Sequence, residues 1–324
     1  MKKQVNQFWA DPAKTVVISV ITPVYNRRDL LPRAMKSVAQ SEFRDIEYVI
    51  VNDGSEEFLD DIVSEFMNSA DFPVAYLTKE NGGVHTARNA GIREARGAYI
   101  LCLDSDDEIL PQALGRLIEA WSEIPETVRD QYREVVCQSM DQNGHRSGTP
   151  FPDGINDLSK EKASAACGAT GGDHISLQRA DILKANLFPE PEGVTFIPEG
   201  ILWTRLNQLY RSWYINDMLR IYHQETEVSY SNAGSRPKTL QYVINSQWEY
   251  AYYLNHPDIY RTGIGTKLSC IIKYAMFSRI LPQDLAGRYP LKRTGDKALK
   301  TLCAFPCHIL AEYYKAKKMA HAPA

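Results

Sequence analysis

Three stretches decide how the chain folds: TVVISVITPVYN at 15–26, YVIVNDGS at 48–55 and AYILCLDSDDEILP at 98–111. Each starts as an apolar, β-branched run and ends in polar residues, the pattern of a buried strand entering a loop. Helical spacing lies between them, at Leu31, Met35 and Val38 within Arg28 to Gln40, then over Phe58 to Met67 and Val84 to Arg96. A short strand at Val74 to Leu77 separates the last two. Pro23 is expected to stop the first strand at Thr22, and Pro111 to open a helix. This alternation with short links predicts an α/β fold with a doubly wound, mostly parallel sheet. Ligands on such sheets sit beyond the carboxyl ends of the strands. The clusters Thr22 to Asn26, Asn52 to Ser55 and Asp104 to Asp107 all fall there.

Farther on, Val135 to Met140 reads as a strand with a turn at Asp141 to Gly144, and Gly148 to Asp157 as a long, mobile Pro/Gly/Asp loop. Gly168 to Gly172 is glycine-rich, Ile175 to Leu177 a short strand before a helix from Ala180, and Glu199 to Tyr210 an amphipathic helix. Beyond Ser235 the pattern is helical and rich in Tyr and Trp. These shifts predict one domain over 1–234 and a helical extension over 235–324.

The 324 residues, 44% of them hydrophobic, suffice for a core without disulfides. The six cysteines (Cys102, Cys137, Cys167, Cys270, Cys303, Cys307) form no CxxC pair and read mostly as buried small hydrophobes. No run of 18 apolar residues exists and the first 14 residues are polar, so a cytoplasmic location is the default expectation. The net charge of −3 hides an asymmetry: 235–324 holds 14 Lys and Arg against 5 Asp and Glu, and the remainder 23 against 35. In 290–319, Lys292, Arg293, Lys297, Lys300, Lys315, Lys317 and Lys318 alternate with Leu299, Leu302, Phe305, Ile309, Leu310 and Tyr313. That is a basic amphipathic segment suited to the anionic inner face of the cytoplasmic membrane. The alternatives are a solvated face, packing on the main domain, or packing on a second copy in an oligomer. No nucleic-acid partner is expected.

The acidic loop carries the chemistry. Side chains two apart on extended backbone face the same way, so Asp104 and Asp106 converge. Two such carboxylates repel by roughly 1–4 kcal/mol at surface-like dielectric, and Asp53 at a neighbouring strand end adds to this. A hard divalent cation, Mn²⁺ or Mg²⁺, resolves the conflict and bridges to phosphate oxygens. The plainer alternative is that Asp106 or Asp107 caps the following helix.

Ile18 to Pro111 resembles the nucleotide-sugar-binding half of the family 2 glycosyltransferases, enzymes of the GT-A fold. The matching residues are ISVITPVYNRRDLLPRAMKSV, YVIVNDGS and KENGGVHTARNAGIREARGAYILCLDSDDEILP, in order and at the family's spacing. The resemblance makes 15–121 the donor half and 122–234 the acceptor half. It implies that Pro23, Tyr25 and Asn26 line the base and ribose. Asp53 would accept from the base imide N–H, which favours a UDP-linked donor. Asn52 stands where the family has Asp. Asn81, Gly83 and Arg88 fall where the family holds diphosphate and sugar, with free N–H groups at a helix N-terminus favouring an anion. For Arg88 the plainer reading is a surface charge. Asp106 matches the direct metal ligand, and Asp104 meets the ribose or the metal.

Inverting transfer needs a base for the acceptor hydroxyl. The family places it in a Glu-Asp pair before a Leu-Trp-x-Arg-Leu run. Aligned on Leu202-Trp203, Glu199 takes the base position and Pro198 replaces the first acid. Tyr222-His223 with Val228 to Ser231 resembles the late Arg-x-His…Ser-x-Ser element, which makes His223 a metal or phosphate ligand. His174 falls where the acceptor approaches. The resemblance thus implies a metal-dependent inverting transferase moving sugar from a nucleotide diphosphate to a glycan or lipid-linked glycan of the cell surface. The rivals are a sugar nucleotidyltransferase, against which the first loop (PVYN) lacks a basic glycine-rich motif, and a non-catalytic nucleotide-sugar-binding relative.

Overall fold

A computed structural model describes residues 1–158, 162–163, 165, 171–223, 239–260, 263–302 and 304–318. The chain divides into two compact units: Met1–Pro189 with Glu199–Gln224, and Glu190–Pro198 with Glu225–Ala324. Cys167, Cys303 and Val228 to Ser231 lie outside the described residues.

In the first unit the strands are β1 (Lys2–Val5), β2 (Ile18–Val24), β3 (Ile46–Asn52), β4 (Val74–Thr78), β5 (Tyr99–Cys102), β6 (Glu108–Ile109), β7 (Tyr132–Asp141), β8 (His174–Arg179) and β9 (Arg211–Tyr222). They form one sheet in the order β1-β4-β3-β2-β5-β8-β7-β9-β6. β4, β3, β2 and β5 are mutually parallel, and β7 is parallel to β9. β1, β8 and β6 pair antiparallel to their neighbours. β2 and β3 are buried along their whole length, as expected of strands covered on both faces. β2 runs through Pro23 to Val24, past the expected stop. Its pairing with β5 ends at Ile21, so Pro23 sits where only β3 flanks it, at Val51.

The helices are α1 (Leu31–Ala39), α2 (Asp60–Ser69), α3 (Val84–Glu94), α4 (Ala113–Glu123), α5 (Ala180–Ala185) and α6 (Gly200–Leu209). α1 buries Leu31, Ala34, Met35 and Val38, one stripe at helical spacing. α4 starts well past Asp107, with Gln112 at its N-cap and no side-chain cap bond, so neither Asp106 nor Asp107 caps it. The loop after β7, expected to be mobile, is anchored: Phe151 and Ile155 are buried with Val136 and Ala163.

The second unit is helical: α7 (Leu240–Asn255), α8 (Ile264–Ile280), α9 (Gln283–Ala286), α10 (Thr294–Leu302) and α11 (Ala304–Lys318). Thr239 Oγ1 caps α7 by accepting from the Tyr242 N–H at 3.2 Å. Val243, Ala251, Ile271, Tyr274, Phe277, Cys307 and Ala311 are buried, while Ile309, Leu310 and Tyr313 on α11 are exposed. Among the described residues no helix is long and apolar enough to cross a membrane.

The turn after β3 is tightly specified. Asn52 accepts from the Ser55 N–H at 2.8 Å and donates to the Tyr76 hydroxyl at 2.9 Å, while that hydroxyl donates to Asp60 at 3.1 Å. Both ends of the amide are therefore used, and a carboxylate in its place has no N–H to give to Tyr76. Gly54 has φ +74°, and a Cβ there would lie 2.6 Å from the Asn81 backbone nitrogen. Asn52→Asp sets an acceptor against a hydroxyl already committed to Asp60, and is expected to cost about 1–3 kcal/mol in urea unfolding. Gly54→Ala adds left-handed strain to a backbone clash and should cost at least about 1–3 kcal/mol, read as a lowered Tm. An alanine variant as stable as the wild type would show that this turn is not held as described.

Candidate active site

The three polar clusters meet at the carboxyl ends of β2, β3 and β5. After β2, Asn26 has φ +49°, a left-handed conformation that Asn tolerates. Its N–H donates to Ser55 Oγ at 3.0 Å and its side-chain oxygen accepts from the Glu56 N–H at 2.9 Å, tying the first cluster to the second. Tyr25 is exposed beside it.

Asp53 is 2% exposed. Its Oδ1 accepts from Lys79 Nζ at 2.6 Å and the Gly82 N–H at 3.1 Å, and its Oδ2 from the Gly83 N–H at 2.8 Å. The anion at the N-terminus of α3 is therefore Asp53 of the same chain, and those N–H groups are not free for a ligand as the sequence suggested. Asp53 thereby fixes the 79–83 loop, a task the sequence did not reveal. Asn81 in that loop is exposed.

Arg88 is 7% exposed, which overturns the surface-charge alternative. Its Nη2 donates to Asp104 Oδ1 at 2.9 Å, and its Nη1 donates to Glu199 Oε1. Burial works against the charge, but Glu199 and Asp104 together hold Arg88 above the ordinary arginine value. Glu199 stands at the N-cap of α6, and its Oε2 accepts from Trp203 Nε1 at 3.1 Å. Asp104 and Glu199 keep nearly half their side-chain surface open to solvent, so Arg88 is a buried cation joining two accessible carboxylates.

Around the acidic loop, Asp106 Oδ2 accepts from Arg27 Nη1 at 2.5 Å. Asp104 is held below the usual carboxylate range: withdrawal from water would raise it, but Arg88, Arg220 and Arg27 prevail. Burial pushes Asp107 up to about 7, against Arg220 and with the charges of Asp104 and Asp106 adding to it. β9 brings His223 to the same loop. Its N–H donates to Asp107 at 3.3 Å, but its Nε2 lies 2.7 Å from Glu108 Oε1. Among the described residues no three His, Cys, Asp or Glu side chains converge so as to hold a metal ion. Asp104 and Asp106 nevertheless suit a hard cation, being part-exposed carboxylates that leave room for phosphate oxygens in its shell. Binding there has to displace Arg27 from Asp106.

A cleft of about 330 Å³ opens from this centre, lined by Arg88, Asp104, Glu199, Trp203, Arg133 and Arg220 among others. Its far wall comes from β7, β8, β9 and α6. His174 lines it, its ring tilted by 32° against Phe151 at 4.9 Å between centroids, with burial holding its imidazole below the ordinary value. Arg27 sits inside the first matching stretch with no role assigned to it, and Arg133, Asp173 and Arg220 carried no motif, so all four escaped the sequence reading.

The comparisons with known proteins agree with this architecture. Residues 19–177 match the glycosyl transferase family 2 profile. A Campylobacter jejuni protein, GalNAc(5)-diNAcBac-PP-undecaprenol beta-1,3-glucosyltransferase, is 27% identical over 305 residues, 93% of this chain and 84% of that one. Several other curated glycosyltransferases match over 90 to 146 residues, and the chain spans only 13 to 43% of their length. S. aureus TarS 1–349, solved with UDP-GlcNAc, superposes with TM-score 0.56 at 16% identity, covering 95% of this chain and 93% of that one. The Pyrobaculum calidifontis mannosyltransferase PcManGT, solved with GDP-Man and Mn²⁺, gives 0.51 at 13% identity, covering 95% and 89%. The fold is GT-A, an α/β sheet with flanking helices, followed by C-terminal helices. Through residues 19–177 the chain belongs to glycosyl transferase family 2.

Proposed function

We propose that this glycosyltransferase is metal-dependent and inverting, and moves a sugar from a UDP-linked donor to a hydroxyl of a glycan or lipid-linked glycan. The observation that carries this reading is Arg88 joining Asp104 of the donor loop to Glu199 in one cleft. Residues 1–234 would form the transferase domain and 235–324 a helical extension.

The acceptor hydroxyl gives its proton to a Glu199 oxygen while its own oxygen bonds to the anomeric carbon. The bond from that carbon to the donor phosphate breaks, and its electron pair leaves with the nucleoside diphosphate. Glu199 is oriented by Arg88 and Trp203, so the proton acceptor is fixed before substrate arrives. Arg88 also brings a buried positive charge to the place where the leaving diphosphate gains negative charge. Pro23, Tyr25 and Asn26 would line the nucleotide above the loop that Asp53 holds, with the exposed Asn81 beside the diphosphate. Asp104 and Asp106 would hold Mn²⁺ or Mg²⁺, with His223 as third candidate, and such an ion supplies further charge for the leaving group. The work belongs to cell-surface polysaccharide or glycolipid synthesis, at the inner face of the cytoplasmic membrane. Support for that setting is the name of the Campylobacter relative, the basic balance of 235–324 and the exposed Ile309, Leu310 and Tyr313.

Nucleotide sugars are screened for Mn²⁺-dependent release of nucleoside diphosphate in the presence of acceptor. Glu199→Gln should lower transfer by at least about a hundredfold, the scale of losing a positioned acid–base group, and Asp106→Ala should lower it by a similar factor through loss of the metal. Glu199→Gln should still bind UDP, and near-normal turnover in that variant removes Glu199 as the base. The membrane contact predicts that combined Ile309→Ser, Leu310→Ser and Tyr313→Ser reduces co-sedimentation with anionic vesicles. Unchanged co-sedimentation refutes this contact.

A further inference from the structure

Two nitrogens on the far wall of the cleft are buried without a hydrogen-bond partner: Arg220 Nη2 and His174 Nε2. Arg220 as a whole is only 6% exposed, and its Nε is satisfied by Ser139 Oγ at 2.9 Å. A buried donor left unmet keeps the cost of its lost hydration, so such atoms mark where a ligand supplies the missing group. Arginine can only donate, hence the absent partner of Nη2 is an oxygen. Asp173 Oδ1 stands 3.9 Å from the same Nη2, too far to satisfy it, on a cleft-lining carboxylate that is 52% exposed and can only accept. A donor beside an acceptor matches neighbouring hydroxyls, one receiving from Arg220 and the other giving to Asp173.

The charge balance narrows the ligand further. The cleft lining carries Asp104, Glu134, Asp173 and Glu199 against Arg88, Arg133 and Arg220. Each guanidinium is already committed: Arg88 to Asp104 and Glu199, Arg133 to Glu134 at 2.5 Å, Arg220 to Asp107 at 3.4 Å. An anionic ligand finds no spare positive charge there and meets the Asp173 carboxylate at once. Trp203, with the Arg133 guanidinium 5.2 Å over its ring, adds an aromatic surface of the kind that packs on the C–H groups of a sugar.

We infer that the wall formed by Arg220, Asp173 and His174 is the subsite for a neutral, hydroxyl-bearing sugar of the acceptor, and that it turns away uronic and phosphorylated sugars. This rests on the transferase reading, in which Glu199 of the same cleft meets the reacting hydroxyl.

The test is a titration of the full chain, with and without UDP and Mn²⁺, followed by tryptophan fluorescence and ligand-observed NMR. The probes are the methyl glycosides of glucose, galactose and N-acetylglucosamine, with methyl glucuronide and glucose 6-phosphate as charged counterparts. At least one neutral glycoside should bind saturably, and the charged ones about tenfold more weakly or worse, the scale of one charged contact. Asp173→Ala should weaken the neutral glycoside about tenfold and narrow the gap to the charged sugars, with a wild-type melting curve. The inference is overturned if no neutral glycoside binds, if the charged sugars bind as well, or if Asp173→Ala leaves both affinities unchanged. UDP binding by the wild type reports on the donor half separately, so absence of UDP binding counts against the transferase reading while the glycoside titration still decides this one.

Discussion

Arg88 is the contact on which the site depends. Breaking a buried ion pair by removing one partner typically costs about 3–5 kcal/mol, because a charge is left in low dielectric. The guanidinium on α3 therefore draws in both carboxylates, one 16 residues and the other 111 residues along the chain. α3 itself lies so close to β2 that a Cβ on Gly91 would sit 2.4 Å from Ile21 Cγ2. That approach fixes the origin of the arginine, and the arginine fixes the loop after β5 against the start of α6. The partial exposure of Asp104 and Glu199 screens part of the attraction. It also leaves each carboxylate with surface free to meet substrate.

The electrostatic difficulty of the acidic loop was visible in the sequence, since three aspartates within four residues cannot ionise together without compensation. Its solution was not visible. Arg27 follows β2, Arg88 lies on α3 and Arg220 on β9, and all three act on Asp104. A cation was the only remedy local sequence could supply. The chain brings positive charge of its own, so a divalent ion bound here would compete with guanidinium groups for carboxylate oxygens. Such an ion would be exchangeable, whereas the arginines are permanent.

The fold was legible where strands are buried on both faces. Continuous apolar runs gave β2, β3, β4 and β5, helical spacing gave α1 to α3 and Pro111 announced α4, with ends displaced by a few residues where capping and fraying decide. It was illegible where pairing rather than pattern makes the strand. β1 is KKQV, exposed throughout, and exists because β4 offers it an edge. β9 is twelve residues long, but register shifts against β7 break any alternation a reader could follow. The reason for Asn52 was illegible too, because its partner Tyr76 comes from the next strand.

The illegible part of the fold and the illegible part of the site have one cause. The donor side is built from local motifs, a strand end and its loop, so residue type and spacing reveal it. The far wall is built from β7, β8 and β9, whose side chains meet only after the sheet has formed. Arg220 is ordinary in sequence, and it becomes informative when burial leaves its Nη2 unmet beside Asp173. A donor-side motif fixes the kind of reaction. The choice of acceptor depends on polar atoms that long-range pairing has withdrawn from water and left for a ligand to complete.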